Sequence, residues 1–354
     1  MNTNSIKKMT RQTRSEFTSI IILNYNGGKI IMECIKSIYE ETYNIEIIII
    51  DNNSSDYSNN EIKEKYPNII LIENKKNLGM TARNLGINIA KGEFIVFLDS
   101  DTIVQEKWLD ELVNSYKKNG DGLYQPKLLD KENPKIINSA GNQINIFGLG
   151  YSRGKTLEDT DQFNKFQKIG YTSGACTFTS SKIIKKIGKI DQIFFAYHDD
   201  LDYGWRAWLQ GIPSYYEPKS IVYHLGSPTL KWSQKKFYLL ERNRWICLFS
   251  CYSTITILKL LPSLFLIDIG LILYFLTKGL LFSKIKANFS IIGLYSDIKK
   301  RKISIQKTRK MKDNKIIKEF LDDFSIPTNI TKKSTGKIFS SIIKNISKIT
   351  RKVI

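Results

Sequence analysis

Two carboxylates one residue apart, Asp99 and Asp101, close the apolar run FIVFL at 94–98, in a chain whose formal charge is +20. At the end of a parallel strand both side chains can point into one crevice. A divalent ion is typically held by one or two carboxylates together with substrate phosphates and water, and it neutralises charge developing on a phosphate leaving group. The pair therefore fits a metal–diphosphate site, and as a bare Asp-Ser-Asp tripeptide it also fits a polar turn. A second acidic cluster, Asp199, Asp200 and Asp202, lies in FFAYHDDLDYGW at 194–205. Mutual repulsion should raise at least one of these pKa values and strengthen that group as a general base. The alternative is a helix N-terminus decorated with acids, which the helix dipole favours.

Other polar residues close neighbouring apolar runs: Asn24, Tyr25 and Asn26 after SIIIL, then Asp51, Asn52 and Asn53 after IEIIII. Their side chains can hydrogen-bond a base and a ribose. Arg83, in NLGMTARNLGINIAKGE, can meet phosphate or base, or simply pack a helix. Of the two histidines, His198 sits inside the acidic cluster. His224 follows SIVY and can offer a metal a neutral nitrogen or play a structural part. Arg242 and Arg244 in ERNRWICLF can meet donor or lipid phosphate, or form a basic flank.

The surrounding pattern indicates what must position these groups. Apolar, largely β-branched runs at 18–26, 45–56, 68–74 and 93–101 alternate with helix-like stretches near 28–41, 58–66 and 78–91. Strands apolar on both faces and separated by helices predict a mostly parallel sheet covered on both sides. Ligands gather at the carboxyl ends of such strands, where the polar clusters of this half fall. Residues 120–230 are less regular, with a Gly-rich stretch at 137–155, a strand or turn entering a helix at 171–188, and a loop entering a helix that stops at Gly211.

With 354 residues, 42% of them hydrophobic, the chain can bury a large core and is not a disordered sequence. Four cysteines without CxxC or zinc-like spacing point to a reducing compartment. The polar N-terminal stretch predicts no signal peptide. Charge is uneven: residues 1–230 carry 28 Lys and Arg against 27 Asp and Glu, whereas residues 231–354 carry 26 against 7. From 245 the sequence turns apolar, but Lys259, Pro262, Asp268 and Lys278 interrupt it, and no uncharged run reaches the roughly 20 residues of a clean spanning helix. A tilted span within 255–282, a pair of interfacial helices and a helical subdomain packed on the core all remain open. In 336–354 apolar residues fall at helical spacing while Lys344, Lys348 and Lys352 recur every four residues. A basic amphipathic helix suits a membrane surface better than a nucleic-acid groove, and no recognised nucleic-acid-binding signature accompanies it. A solvated or protein-facing helix is the alternative.

SIIILNYN, IIIIDNNSSD, NLGMTARNLGINIAKGEFIVFLDSD and FFAYHDDLDYGWRAWLQG, in that order, resemble the markers of family 2 glycosyltransferases, over about residues 17–245. The branch they resemble is the rhamnosyltransferase and galactofuranosyltransferase type. The resemblance implies a GT-A fold, a nucleotide-sugar donor (dTDP-rhamnose-like or a UDP-sugar), a divalent metal (Mg or Mn) and inversion at the anomeric carbon. It implies that Asp51 contacts the nucleobase with Asn24 and Asn26 beside it, and that Arg83 belongs to the donor site. Asp99 then lies near the ribose and the metal, Asp101 is the principal metal ligand, and His224 completes the metal shell. Asp200 is implied as catalytic base, with Asp199 and Asp202 on the acceptor side. The family usually has Glu-Asp where this chain has Asp199-Asp200, so Asp199 is a shorter acid in that place.

The expected organisation is a polar tail at 1–16, a GT-A catalytic domain at 17–230, a hydrophobic helical membrane-associated region at 231–298 and a basic tail with an amphipathic helix at 299–354. The expected function is transfer of a sugar to a lipid-linked or cell-surface glycan at the cytoplasmic face of the membrane, without nucleic acid. The rivals are a polyprenyl-phosphate sugar synthase, which would resemble only the first half of the chain, and a non-catalytic module that binds nucleotide sugar or nucleic acid.

Overall fold

The computed structural model describes residues 16–41, 44–226, 233–324 and 333–354. Residues 1–15 of the expected N-terminal tail lie outside them. The strands are β1 (Thr18–Asn24), β2 (Ile45–Asp51), β3 (Ile70–Glu73), β4 (Phe94–Asp99), β5 (Thr102–Val104), β6 (Leu123–Asp130), β7 (Ile137–Ser139), β8 (Asn142–Ile144), β9 (Gly150–Ser152), β10 (Gln167–Ile169), β11 (Cys176–Ser180) and β12 (Ser214–His224). The helices are α1 (Gly28–Glu41), α2 (Ser58–Lys65), α3 (Arg83–Ile89), α4 (Trp108–Asn119), α5 (Ser181–Ile187), α6 (Asp199–Leu209), α7 (Gln234–Cys251), α8 (Thr254–Thr277), α9 (Leu281–Gly293), α10 (Tyr295–Thr308), α11 (Asp313–Ile316) and α12 (Lys333–Arg351).

One curled sheet runs β10-β12-β6-β11-β4-β1-β2-β3, with β5 on β12 and β7 on β6. Its first half meets expectation: β3, β2, β1 and β4 are mutually parallel, and Ile20, Ile22, Ile47, Ile49, Val96 and Leu98 fill the core on one face. Beyond β4 the sheet is mixed, because β11 runs antiparallel to both β4 and β6. That reversal brings the loop 172–175 back over the carboxyl end of β4, where the Asp99 amide donates to Ala175 O at 3.0 Å. β12 then returns antiparallel to β5 and pairs His224 with Thr102, directly beside Asp101.

The expected boundary at 230 does not divide the packing. A single apolar cluster joins Ile144, Phe194 and Trp205 to Leu248, Leu260 and Ile343. Trp205 stands edge-on to Tyr252 at 4.8 Å and to Phe320 at 5.1 Å, between ring centroids. Composition suggested separate apolar and basic segments, but helices of 234–308 turn apolar residues inward and bury some charged ones with them, Glu241, Arg244 and Lys284 among them. The basic segment even sends Arg301 into the core, 7% exposed. Ser253 caps α8 by accepting from the Thr256 amide, so the apolar stretch after 245 becomes two helices, α7 and α8, instead of one.

Candidate active site

Asp99, Asp101 and His224 come together. One ligand atom from each lies within 4.8 Å of the others, and His224 Nε2 is 3.3 Å from Asp101 Oδ1 and 4.0 Å from Asp99 Oδ2. The strand ends dictate this: β4 delivers Asp99, the turn to β5 delivers Asp101, and β12 delivers His224 in register with Thr102. The Leu225 amide donates to Asp101 O at 3.1 Å, which closes the corner. His224 Nδ1 lies 3.1 Å from Asn138 Oδ1. An amide oxygen can only accept, so Nδ1 carries a proton, and Nε2 is the ring nitrogen turned toward the carboxylates. Metal-binding histidines are oriented in this way by a partner on the other ring nitrogen. Two carboxylates and one such imidazole fit a divalent ion with room for phosphate oxygens. Sequence reading missed Asn138, since nothing in INSAGN marks one residue of a loop as facing a histidine 86 positions away.

Arg83 is the link between this cluster and the acidic helix. It is buried, its Nη2 donates to Asp99 Oδ1 at 2.5 Å and to Gly174 O at 3.0 Å, and its guanidinium lies over the Phe97 ring. The Gly174 amide in turn donates to Asp200 Oδ2 at 3.2 Å, and the Leu201 amide to Asp200 Oδ1 at 2.8 Å. Burial drives the Asp99 carboxyl above its usual range despite the opposing Arg83 charge. Burial also pushes Asp101 up, but the hydrogen bond and charge of His224 outweigh it, and the net shift is downward.

Asp199 and Asp200 open α6, and both are raised, chiefly by burial. Asp200 is pushed up to about 6 and Asp199 to about 8, the latter also by the charge of Asp200. The two carboxyls titrate as a coupled pair, and Asp200 is the one that two backbone amides support. The turn before them is strained: Tyr197 and His198 both have left-handed backbone, φ 66° and 58°. Two consecutive non-glycine residues in that region are costly and persist only where neighbours enforce them. Asn243 of α7 does so, its Nδ2 donating to Ala196 O at 2.9 Å and Tyr197 O at 2.7 Å. Met80 N donates to Phe195 O at 2.9 Å from the other side.

Gly79 permits that second clamp. Its φ is +61°, and a Cβ there would lie 1.9 Å from Phe195 O. Gly79→Ala is therefore expected to displace the 194–198 turn, lowering turnover and costing about 1–3 kcal/mol of stability. Paired turnover and denaturant-unfolding measurements check this, and an unchanged variant would show that the turn is not held from Gly79.

Asp202 departs from expectation. It does not face an acceptor but is fully buried, with Arg206 Nε donating to its Oδ2 at 2.8 Å and Arg301 Nη2 to its Oδ1. Burial would raise its pKa, yet Arg301 and Arg206 hold it below the usual carboxylate range. On α6 it lies three residues beyond Asp199, on the side turned to α10. Asn24 is also wholly buried: its Nδ2 donates to Asp51 Oδ1 at 3.1 Å and Ser58 Oγ at 3.0 Å, so it orients Asp51 and is not itself presented to a ligand. The Ser54 amide holds the other oxygen of Asp51 at 3.0 Å. Asn26 is exposed and accepts from the Ser55 amide at 2.8 Å, tying the loop after β1 to the loop after β2. Arg244 is withdrawn into an ion pair with Glu241 and is not offered to phosphate as the sequence allowed, whereas Arg242 is half-buried and donates to Ile193 O.

Residues 19–188 match the family model described as glycosyl transferase family 2. Glycosyltransferase GlyG of Streptococcus pneumoniae serotype 4 is 40% identical over 104 residues, 28% of this chain and 34% of that protein. The poly(ribitol-phosphate) beta-glucosyltransferase of Bacillus spizizenii is 33% identical over 176 residues, 48% of this chain and 26% of that protein. The chain thus spans about a quarter to a third of the length of these two relatives. Among solved structures, GalNAc-T7 with UDP, GalNAc and Mn2+ superposes with a TM-score of 0.54 at 18% identity, covering 66% of this chain and 47% of that one. That likeness is one of fold. Residues 19–188 are thus similar to glycosyl transferase family 2, and the fold is of the GT-A type.

Proposed function

We propose that the protein is an inverting, metal-dependent glycosyltransferase. It moves one sugar from a nucleoside-diphosphate sugar to a phosphate-rich or lipid-linked cell-surface glycan at the cytoplasmic face of the membrane. The observation that carries this reading is the continuous path from the Asp99–Asp101–His224 cluster through Arg83 and Gly174 to Asp200. Asp101, His224 and Asp99 would hold a divalent ion, which supplies charge neutralisation at the leaving diphosphate. The Mn2+ bound by the GalNAc-T7 structure supports that choice. Asp51, held open by Asn24 and Ser54, recognises the base of the donor. Asp200 takes the proton of the acceptor hydroxyl as that oxygen attacks the anomeric carbon from the face opposite the diphosphate. Asp199, beside it at the start of α6, positions the acceptor.

The name of the Bacillus spizizenii relative supports poly(ribitol phosphate)-like acceptors, and the excess of cations beyond residue 230 suits a polyanionic acceptor near an anionic surface. No observation favours a rhamnosyl or galactofuranosyl donor over glucose-type UDP donors. Transfer assays with poly(ribitol phosphate) and with polyprenyl phosphate, read by product NMR, test the reading. Inverted product on the polymer supports it, and retained configuration or exclusive use of polyprenyl phosphate overturns it. The assignment of Asp200 also fixes a pH dependence. Its raised pKa means the base is lost on acidification, so turnover should rise with pH through about 6. A flat profile across that region would remove Asp200 as the base.

A further inference from the structure

We propose that α8, α9 and α12 together form one apolar face that lies in the interface of an anionic bilayer, with α8 parallel to the membrane plane. The proposal rests on the membrane-face reading above and says which surface makes the attachment. By length and composition α8 could cross a membrane, and it is the one such helix among the described residues. Its packing argues against crossing. Leu260, Leu264, Ile267, Leu271 and Phe275 point inward and belong to the same apolar cluster as Trp205 and Leu248 of the catalytic body. Asp268 on α8 meets Lys284 and Asn288 of α9, and Lys284 also pairs with Glu241 of α7. Drawing α8 into hydrocarbon would strip these partners and leave Glu241, Lys284 and Asp268 without one another.

The opposite side of α8 is apolar and open. Leu258, Phe265, Ile269 and Leu273 recur at helical spacing and are exposed, Phe265 by 68%. α9 presents Phe282, Phe289 and Ile292, the last 71% exposed. α12 presents Ile338, Ile342 and Ile349, although its Ile343, Ser347 and Thr350 are buried. α8 lies between the other two helices, and in the proposed seating the three stripes are on one side. Ser263 Oγ meets Thr350 Oγ1 at 2.6 Å, and Gly270 faces the Phe339 ring, on one flank. Asp268 meets α9 on the other. A soluble chain seldom leaves so many large apolar side chains contiguous and in water.

The rim decides the occupant. Lys337, Lys344, Lys348 and Lys352 are exposed along α12, and Lys259 and Lys286 accompany the stripes of α8 and α9. A second copy of the chain would bring an identical rim of cations against this one, whereas anionic headgroups complement it. An apolar stripe edged by lysines is the pattern of a helix seated at the headgroup–acyl boundary.

The test is flotation of the purified full chain with vesicles of equal parts phosphatidylglycerol and phosphatidylcholine, and with phosphatidylcholine alone. Phe265→Glu, Phe289→Glu and Ile342→Glu place a charge on each stripe in turn at exposed positions, and unfolding midpoints and donor turnover check that each variant is intact. Wild type should float with the anionic vesicles and about tenfold less with neutral ones, and each variant should lose about tenfold in partition. Depth is read from Phe265→Trp, Phe289→Trp and Ile349→Trp with lipids brominated at different chain positions, and shallow quenching at all three is expected. Variants that float like wild type would overturn the assigned face and leave membrane attachment standing. Wild type that does not float would overturn both. Deep quenching at position 265 with shallow quenching at the other two would show that α8 crosses. Self-association abolished by the Glu variants, without flotation, would assign the face to a second copy.

Discussion

Replacing Asp200 by Asn is expected to lower turnover about a thousandfold while leaving donor affinity within about twofold. The reasons are local. Asp200 Oδ1 accepts from the Leu201 amide and Oδ2 from the Gly174 amide, and an asparagine of the same shape keeps the first bond but its amide is not basic enough to take a proton. The Gly174 loop is also held from the Arg83 side, so the loss should be one of basicity and not of shape. Donor contacts assigned to Asp51, Asp101 and His224 are on other elements and should be unaffected. Single-turnover rates together with donor binding by calorimetry separate the two effects. Wild-type turnover in Asp200→Asn would move the base elsewhere, and Asp199 would be the next residue to replace.

Replacing Arg301 by Leu is expected to destabilise the chain by about 3–5 kcal/mol, because it leaves Asp202 buried with only one of its two cationic partners. Arg301 reaches from α10 to Asp202 on α6, to Asp191 before that helix, and to Ser250 on α7. It therefore fixes from behind the helix whose first residues are Asp199 and Asp200. Because two arginines hold Asp202 below the usual carboxylate range, its contribution is present above the ordinary carboxylate pKa of about 3.9 and fades as pH falls through the lower native value. The gap between wild type and variant should accordingly narrow in acid. Denaturant midpoints at neutral and acidic pH measure both, with Arg301→Lys recovering part of the loss. A change below about 1 kcal/mol at neutral pH would show that α10 does not brace the acidic helix.

Much of the donor half was legible in the sequence because its signals are local. SIIIL, EIIII and FIVFL are apolar on both faces, so they read as buried parallel strands, and the polar residues that end them fall at the crevice. Asp99, Asp101, Arg83, Asp200 and His224 were found by residue type and motif, and the fold brings them together. Asp202 was misplaced for a physical reason: three acids within four residues look alike in sequence, but helical spacing turns Asp202 away from Asp200, and its partner Arg301 lies 99 positions later. Asn138, Asn243 and Gly79 escaped or were undervalued because each acts on backbone or a ring nitrogen of a distant segment. The region after 230 misled through composition. Its charge and apolarity are real, but Glu241, Arg244 and Arg301 are buried with the apolar side chains, so α7 and α10 belong to the same packed body as α6.

In the proposed mechanism Asp99, Asp101 and His224 hold a divalent ion against the diphosphate of a nucleotide sugar. The most direct measurement is nucleoside diphosphate release by the full chain from a panel of nucleotide sugars, with Mn²⁺, with Mg²⁺ and with chelator, for wild type and Asp101→Ala. Metal-dependent release from one donor class is expected, lost in chelator and reduced at least about a hundredfold in Asp101→Ala. Release that is indifferent to chelator, or equal in wild type and Asp101→Ala, would contradict it.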